Sequence, residues 1–383
     1  MKPLNPFIIT SDYYGPDYFC DRMEETREML SNILNGRNTV LISERRMGKS
    51  GLISHIFAQQ EISSNFRSFY VDLYPTSNLS EMVMLMSEEV LWQLKGKGRK
   101  MAERFFSFVK SLAPGLKYDP ITGQIVFDIS LGAITQPKTT LKEIFEYLES
   151  SDVPCLVAID EFQQIADYPE GNVIALLRTY IQKCHKTVFI YSGSKRRMMD
   201  KLFTNPGEPF YMSSTPLSLG PIDKGKYLEF SQHHFKAGGK TLSAECFEKI
   251  YDIFEGHTWY VQRILNELYG VKQTGETASA TDVEPALRHI LKLEKRTFDD
   301  NMADLPEMQK QVLIAIAKEG KVKEATSSGF VLRHSLRSSS TVQSALTALY
   351  SKEYVTKTGG FYSITNRFLK FYLLERYSSG VRL

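Results

Sequence analysis

The sequence is poor in cysteine, and the few cysteines it has are widely spaced. They stand at Cys20, Cys155, Cys184 and Cys246, with no pair at CxxC spacing. Zinc sites and thiol redox motifs need closely spaced pairs, and small disulfide-linked proteins carry many more cysteines for their length. We therefore expect reduced thiols in a cytoplasmic protein, without a zinc site or a disulfide framework.

Long apolar runs and a strong excess of one charge are also missing. No segment approaches the roughly 20 apolar residues that cross a bilayer, and the first residues, MKPLNPF, lack the apolar core of a signal peptide. We expect no membrane association. A net charge of +3 over 383 residues gives no electrostatic argument for nucleic acid by itself. The length instead predicts two or three globular domains.

What the sequence does contain is the pattern of a phosphate-binding loop. A β-branched and apolar run, Thr39 to Ile42, is followed by a polar turn and a predicted helix over Ser50 to Gln60. Free backbone N–H groups at a helix N-terminus accept phosphate oxygens. In such loops the lysine, here Lys49, reaches the β- and γ-phosphates, and the hydroxyl of Ser50 ligates Mg²⁺. The predicted contacts with the nucleotide are Arg46, Met47, Gly48, Lys49, Ser50 and Gly51.

The loop departs from its consensus at one position. Ser43 stands where the first glycine of the motif is expected, so only the second half of the motif is intact. A bare Gly-Lys-Ser also occurs in surface turns, but the strand pattern before it favours the phosphate-binding interpretation.

A second motif supports the first. Cys155 to Ile159 is an apolar run without alternation, typical of a strand covered on both faces of a parallel sheet. It ends in Asp160 and Glu161. At the end of such a strand one acid holds Mg²⁺ and a neighbouring acid can polarise the attacking water. Two solvated acids would be the alternative, and the loop upstream makes it the weaker one.

A family resemblance follows from these residues together. The box Phe19-Cys-Asp-Arg-Met-Glu-Glu25 and the loop Arg45-Arg-Met-Gly-Lys-Ser50 resemble the archaeal ATPase family, in the STAND-type branch of the AAA+ class. The resemblance implies an α/β fold. It predicts a P-loop domain with a parallel sheet over residues 1–225, a helical lid over 226–300 and a winged helix over 301–383.

The resemblance also implies roles for residues outside the two motifs. Phe19 and Arg22 would lie near the adenine base, although Phe19 could simply pack in the core. Ser192 or Ser194 would sense the γ-phosphate. The remaining candidates are His257, near the start of a lid helix where Thr258 replaces the expected proline, and Arg196 or Arg197 as an arginine finger. His257 could equally cap or pack, and the arginines could lie on a solvated helix start.

Two further segments suggest partners. Residues 115–134 predict a β-hairpin inserted into the nucleotide domain, where it could contact a protein. At the C-terminus, helices followed by two strands around Gly359 and Gly360 predict a winged helix. Its predicted third helix has Gln343 but no arginine or lysine, so base reading in DNA is weakly supported. The basic residues around it are Arg333, Arg337, Lys352, Lys357 and Arg367.

The sequence as a whole predicts a protein that binds ATP or ADP with Mg²⁺ and hydrolyses ATP slowly, as a nucleotide-driven conformational switch. Lys49, Asp160 and Glu161 would carry the catalysis. The alternative is a nucleic-acid-binding or protein scaffold module with a vestigial nucleotide site. Ser43 and Thr258, which replace family residues, support that alternative.

The first helix is predicted to turn Met23, Leu30, Ile33 and Leu34 inward.

Overall fold

The computed structural model describes residues 3–10, 13–94, 104–105, 107–118, 125–127 and 134–378. The chain divides into two compact units. The first comprises Met1–Tyr227 with His257–Trp259, and the second comprises Leu228–Gly256 with Tyr260–Leu383.

The strands of the described residues are short, and most belong to the first unit. They are β1 (Thr39–Ile42), β2 (Arg67–Asp72), β3 (Leu116–Tyr118), β4 (Ile125–Phe127), β5 (Cys155–Asp160), β6 (Thr187–Gly193), β7 (Thr215–Ser218), β8 (Thr241–Leu242), β9 (Thr277–Ala278), β10 (Val355–Thr358) and β11 (Phe361–Ile364).

The helices fill most of the remaining chain. They are α1 (Met23–Leu34), α2 (Lys49–Ala58), α3 (Gln60–Ser63), α4 (Leu79–Leu94), α5 (Pro137–Glu149), α6 (Val173–Ile181), α7 (Arg196–Thr204), α8 (Lys224–Ala237), α9 (Ala244–Ile253), α10 (Thr258–Val271), α11 (Val283–Ala303), α12 (Glu307–Glu319), α13 (Ser328–Arg333), α14 (Ser339–Ser351) and α15 (Arg367–Tyr377).

The first unit is built on a five-stranded sheet in the order β2-β5-β6-β1-β7, in which every pair of neighbours is parallel. All six residues of β5 are buried, as its unbroken apolar run predicts. One face of the sheet packs with α4, α5 and α6, and the other packs with α1 and α2. The predicted parallel α/β sheet is confirmed. Because the carboxyl ends of parallel strands lie at the same edge of a sheet, the loop after β1 and the acids at the end of β5 lie at one edge.

The first helix is amphipathic, but two of its predicted inward positions are wrong. Met23 and Leu34 are 66% and 54% exposed, whereas Met29 and Ile33 are buried. These two positions lie at the ends of α1, beyond the turns that cover the sheet. A periodic pattern predicts the buried face of a helix better than it predicts where the contact with the core stops.

The predicted hairpin insertion is described only in part. β3 and β4 pair antiparallel, with Leu116 opposite Phe127. The predicted turn, with Pro120 and Gly123, lies outside the described residues. Its role in binding a protein stays a prediction.

The second unit contains most of α8, helix α9, α10 from Tyr260 onward, α11 and a C-terminal winged helix. In the latter, α12, α13 and α14 are followed by the antiparallel pair β10 and β11, with Val355 opposite Ile364. Gly359 and Gly360 have φ values of 59° and 86°, as a hairpin turn of this type requires. Helix α15 was not predicted from the sequence; it follows the hairpin and packs on α12. Among the described residues no helix is long and apolar enough to cross a membrane.

Four aromatic side chains form a compact cluster under the edge of the sheet that carries the acids. The rings of Phe162, Tyr191, Phe203 and Phe210 lie with all pairs of centroids between 4.8 and 5.6 Å apart. All four are buried. Since Phe162 directly follows Glu161, this cluster fixes the chain where it leaves β5.

Phe210→Ala should lower the free energy of unfolding by about 3–5 kcal/mol, because it removes a large buried ring and leaves a cavity. Tyr211→Ala is the matched control. Tyr211 is the next residue and is 39% exposed, so its loss should change stability by about 0.5 kcal/mol or less. Urea denaturation of both variants measures the difference, and equal stabilities would contradict the importance of the cluster.

Candidate active site

The loop between β1 and α2 has the backbone geometry of an anion site. Arg46 and Gly48 are left-handed, with φ values of 70° and 96°, and such residues let successive N–H groups line a concave surface. Gly48 is the N-cap of α2, and no side chain caps this helix. The first N–H groups of α2 are therefore available to an anion, which the helix dipole also favours.

Ser43, at the position of the missing glycine, fits the loop without strain. Its φ is not left-handed, so the position does not require glycine. The Ser43 hydroxyl donates to the Glu44 carbonyl at 3.1 Å. The departure from the consensus therefore leaves the loop intact.

Lys49 lies buried in the loop. Its ammonium donates to the carbonyls of Ser43 and Glu44 at 3.4 and 3.2 Å. Burial lowers the pKa of Lys49, and the carboxylates of Glu161 and Asp160 oppose that shift. The Lys49 ammonium is therefore buried, and its two bonds to backbone carbonyls are long enough to be replaced by bonds to the oxygens of an anion.

The two sequence motifs meet at Ser50 and Asp160. Ser50 Oγ donates to Asp160 Oδ2 at 2.8 Å, and the Glu161 N–H donates to Asp160 Oδ1 at 2.9 Å. Asp160 is only 5% exposed. A third donor, the Tyr70 hydroxyl on β2, reaches Asp160 Oδ2 at 2.5 Å. Burial, followed by the charge of Asp160, raises the pKa of Tyr70, so the phenol keeps its proton.

The oxygen atoms of Ser50 and Asp160 are suitable ligands for a magnesium ion. Mg²⁺ prefers hard oxygen ligands and usually takes only one or two protein carboxylates, with water and substrate phosphates completing the shell. A hydroxyl and a carboxylate beside an anion-binding loop are such a set. No cluster of three or more His, Cys, Asp or Glu side chains in the described part of the chain could hold a metal alone.

The second acid is held by its neighbours. Glu161 has a left-handed backbone, with a φ of 50°, and its Oε2 accepts from the Ser194 hydroxyl at 2.8 Å and from the Gln163 amide. Ser192 is fully buried, and its hydroxyl has no hydrogen-bond partner among the described residues. Of the two serines considered as sensors, Ser194 is therefore the one brought to the acid.

Phe19 lies over the first turn of α2. Its ring stacks on His55 with a centroid distance of 4.1 Å and an interplanar angle of 11°, and Tyr13 approaches edge-on. A Cβ built on Gly51 would be 3.8 Å from the Phe19 ring. An aromatic surface therefore borders the loop around Gly48, and a role for Phe19 in binding adenine stays a prediction.

Arg22 contacts backbone carbonyls of the site. Its guanidinium donates to the carbonyl of Met47 at 3.2 Å and to that of Gly220, after β7, at 2.8 Å. The Thr258 hydroxyl also lies at hydrogen-bond distance, 3.5 Å, from the Met47 carbonyl. The arginine that the resemblance places near the base thus braces the loop in this structure.

His257 and the residues after it contact the loop from the outside. His257 Nε2 is 3.3 Å from Glu44 Oε2, and the Trp259 N–H donates to the Arg46 carbonyl at 3.2 Å. The Arg46 guanidinium lies 3.9 Å from the centroid of the Trp259 ring. Trp259 was not predicted to contact the loop. The only signal in the sequence was its position two residues after the candidate His257.

The arginine-finger candidates stay a prediction. Arg196 and Arg197 begin α7 and are exposed, and Arg196 lies 3.8 Å from Asp200 one turn later. Neither is brought to the acids within this chain.

Gly193→Ala should lower the free energy of unfolding by about 1–3 kcal/mol, the usual cost of overpacking a closed region. A Cβ at Gly193 would lie 2.6 Å from Met199 Sδ and would also clash with Gln163 Oε1. Both side chains are buried, so neither can move away freely. Gly207→Ala is the control, because a Cβ there meets nothing within 4 Å. Denaturant unfolding of the two variants should differ by this amount, and similar values would show that the region yields.

Comparison with known proteins places this geometry in a family. A family model described as an ATPase domain predominantly from Archaea matches residues 19–264, and one described as a probable winged helix domain matches residues 296–375. No curated protein matches the chain by sequence.

Solved structures share the fold over almost the whole chain. A Walker-type ATPase of Pyrococcus abyssi has a TM-score of 0.65 at 17% identity, covering 96% of this chain and 99% of its own. The ORC2 protein of Aeropyrum pernix, solved in ADPNP and ADP complexes, has a TM-score of 0.57 at 14% identity, covering 97% and 98%. The ORC1 protein of Aeropyrum pernix, in complex with DNA, has a TM-score of 0.54 at 13% identity, covering 97% and 96%.

At these identities the structural likeness establishes the fold alone. The family match covers well over half of the chain and supports ATP binding and hydrolysis in general. This chain belongs to the family of ATPase domains found predominantly in Archaea, with a P-loop α/β fold of AAA+ type followed by a winged helix.

Proposed function

We propose that this protein binds ATP with Mg²⁺ between the loop at Gly48 and the acids after β5, and hydrolyses it slowly. The observation that carries the proposal is the 2.8 Å hydrogen bond between Ser50 Oγ and Asp160 Oδ2. These residues are 110 positions apart in sequence, and their contact brings a phosphate-binding turn and a metal-binding carboxylate into one site.

The residues of the site then have the following roles. The backbone of Arg46 to Gly51 and the Lys49 ammonium bind phosphate oxygens, and Lys49 gives up its carbonyl contacts to do so. Ser50 and Asp160 hold the metal. When bound, Mg²⁺ neutralises charge on the β- and γ-phosphates. Glu161 orients the attacking water and accepts its proton.

Slow turnover follows from the surroundings of Glu161. Ser194 and Gln163 already donate to Glu161 Oε2, so they compete with water for the oxygen that a general base needs. Ser194 would sense the γ-phosphate through this bond. If its hydroxyl turned to the phosphate, Glu161 would lose one of its hydrogen bonds.

A conformational switch is supported by helix α10. Its first residues, Thr258 and Trp259, belong to the first unit, and the helix continues in the second unit from Tyr260. Trp259 bonds to the loop through Arg46. Within the second unit, the Tyr260 hydroxyl accepts from the Arg367 N–H at 3.2 Å. A shift of the loop on binding nucleotide would therefore act on the start of this helix, within the predicted lid (226–300), and thereby on the predicted winged helix (301–383).

The adenine base would lie against Phe19. This ring borders Gly51 and is already stacked on His55, so it provides a flat apolar surface at the start of α2. ADP would occupy the same surface and the same loop.

A DNA-binding role for the winged helix has weaker support. Arg333 pairs with Glu319 at 2.8 Å, and Arg367 is buried and lies 3.8 Å from Glu255. Cations paired in this way neutralise fewer phosphates. The exposed face of α14 offers Gln343 with serine and threonine. We therefore favour a protein partner for this domain.

Lys49→Ala should weaken ATP binding by roughly tenfold to a hundredfold, since hydrogen bonds from a charged donor contribute about 1.5–3 kcal/mol each. Titration with a fluorescent ATP analogue measures this. Lys201→Ala, on the exposed face of α7, should bind as the wild type does. If Lys49→Ala binds ATP as tightly as the wild type, the site is vestigial and the scaffold alternative stands.

Glu161→Gln should reduce the rate of ATP hydrolysis by about 10²–10⁴-fold, the usual contribution of a general base. ATP affinity should stay close to the wild-type value, because the amide oxygen can still accept from Ser194 and Gln163. Phosphate release under single-turnover conditions measures the rate. Glu146→Gln, at an exposed position on α5, is the control, and an unchanged rate in Glu161→Gln would remove this residue from the mechanism.

A further inference from the structure

Among the described residues, Tyr70 is the one hydrogen-bond donor to Asp160 that the sequence motifs do not include. It lies on β2, opposite Ala158 of β5 in the parallel register. Side chains two residues apart on a strand share a face, so Tyr70 and Asp160 project to the same side of the sheet. The Tyr70 hydroxyl reaches Asp160 Oδ2, the same oxygen that accepts from Ser50.

Both the ring and the backbone of Tyr70 are held by neighbouring elements. The ring packs against the core formed by α1, α2 and the sheet, and the Tyr70 N–H donates to Glu89 Oε1 of α4 at 3.1 Å. A phenylalanine would fill the same space. The hydroxyl therefore adds only polar contacts, which are its bond to Asp160 and an interaction with the Ser50 hydroxyl.

The Asp160 carboxylate has few other restraints. The Glu161 N–H holds Oδ1, while Ser50 and Tyr70 hold Oδ2. Ser50 is itself a predicted metal ligand, so its hydroxyl has to serve the metal as well as the carboxylate. Tyr70 has no such second duty, because a neutral phenol is a poor magnesium ligand compared with carboxylate, water or phosphate.

We propose that Tyr70 is a positioning residue for the metal, whose hydroxyl orients the Asp160 carboxylate toward Mg²⁺ bound with nucleotide. The inference rests on the proposed function, since it assumes that Asp160 takes part in binding the metal. Groups that orient a metal ligand commonly account for tenfold to a hundredfold in metal affinity.

The test compares Tyr70→Phe with the wild type by calorimetric titration of ATP, once in EDTA and once over a series of Mg²⁺ concentrations. Tyr70→Phe should raise the Mg²⁺ concentration needed for half-maximal tight binding by about tenfold. The ATP affinity in EDTA should remain within about twofold of the wild-type value, because the phosphate loop is untouched. Binding of Mn²⁺ with ATP, followed by electron paramagnetic resonance, gives a second measure of the metal that is independent of hydrolysis.

Tyr191→Phe is the matched control. Tyr191 is a fully buried tyrosine of β6 in the same sheet, and its hydroxyl has no hydrogen-bond partner among the described residues. Its removal should leave both titrations at wild-type values.

The outcomes separate the two proposals. If Tyr70→Phe follows the wild type in Mg²⁺, or loses affinity equally with and without the metal, the positioning role is wrong while the nucleotide site stands. If the wild type itself binds ATP equally well in EDTA and in Mg²⁺, the proposed metal site fails and the role of Tyr70 fails with it.

Discussion

The hydrogen bond between Ser50 and Asp160 is the contact on which the site depends. Ser50 lies in the first turn of α2, and Asp160 ends β5, with β6 lying between β5 and β1 in the sheet. Parallel pairing brings the ends of these strands to one edge, and burial on both faces holds them there. The chemistry of the chain is thus located by the sheet, and the loops around it supply the reacting groups.

A second constraint is electrostatic. Lys49 and Asp160 are both buried at this edge, at 7% and 5% exposure, and buried charges are costly unless they are paired or hydrogen-bonded. Lys49 meets backbone carbonyls, and Asp160 accepts from three donors. In the proposed function, a triphosphate at Lys49 and a cation at Asp160 would replace these contacts by stronger charge-assisted ones.

Side chains from distant parts of the sequence contact the loop around Gly48. Trp259, His257 and Arg22, all of the first unit, contact this loop. Glu161 accepts a hydrogen bond from Ser194, the residue directly after the neighbouring strand β6. Most of these contacts are single hydrogen bonds of modest net strength. In the proposed function, bound phosphate would therefore rearrange them without disturbing the core of the sheet.

The sequence by itself determined the parallel α/β sheet, the two motifs at its edge and the winged helix, because unbroken apolar strands, a Gly-Lys-Ser helix start and a glycine-rich hairpin are local signals. Only the tertiary structure brought Ser194 rather than Ser192 to Glu161, directed Arg22 to backbone carbonyls, and added Tyr70 and Trp259 to the site. Those contacts depend on strand register and on residues far apart in the chain. When strand pairing alone brings a side chain to the site, the residues next to it in the sequence give no signal that predicts its position.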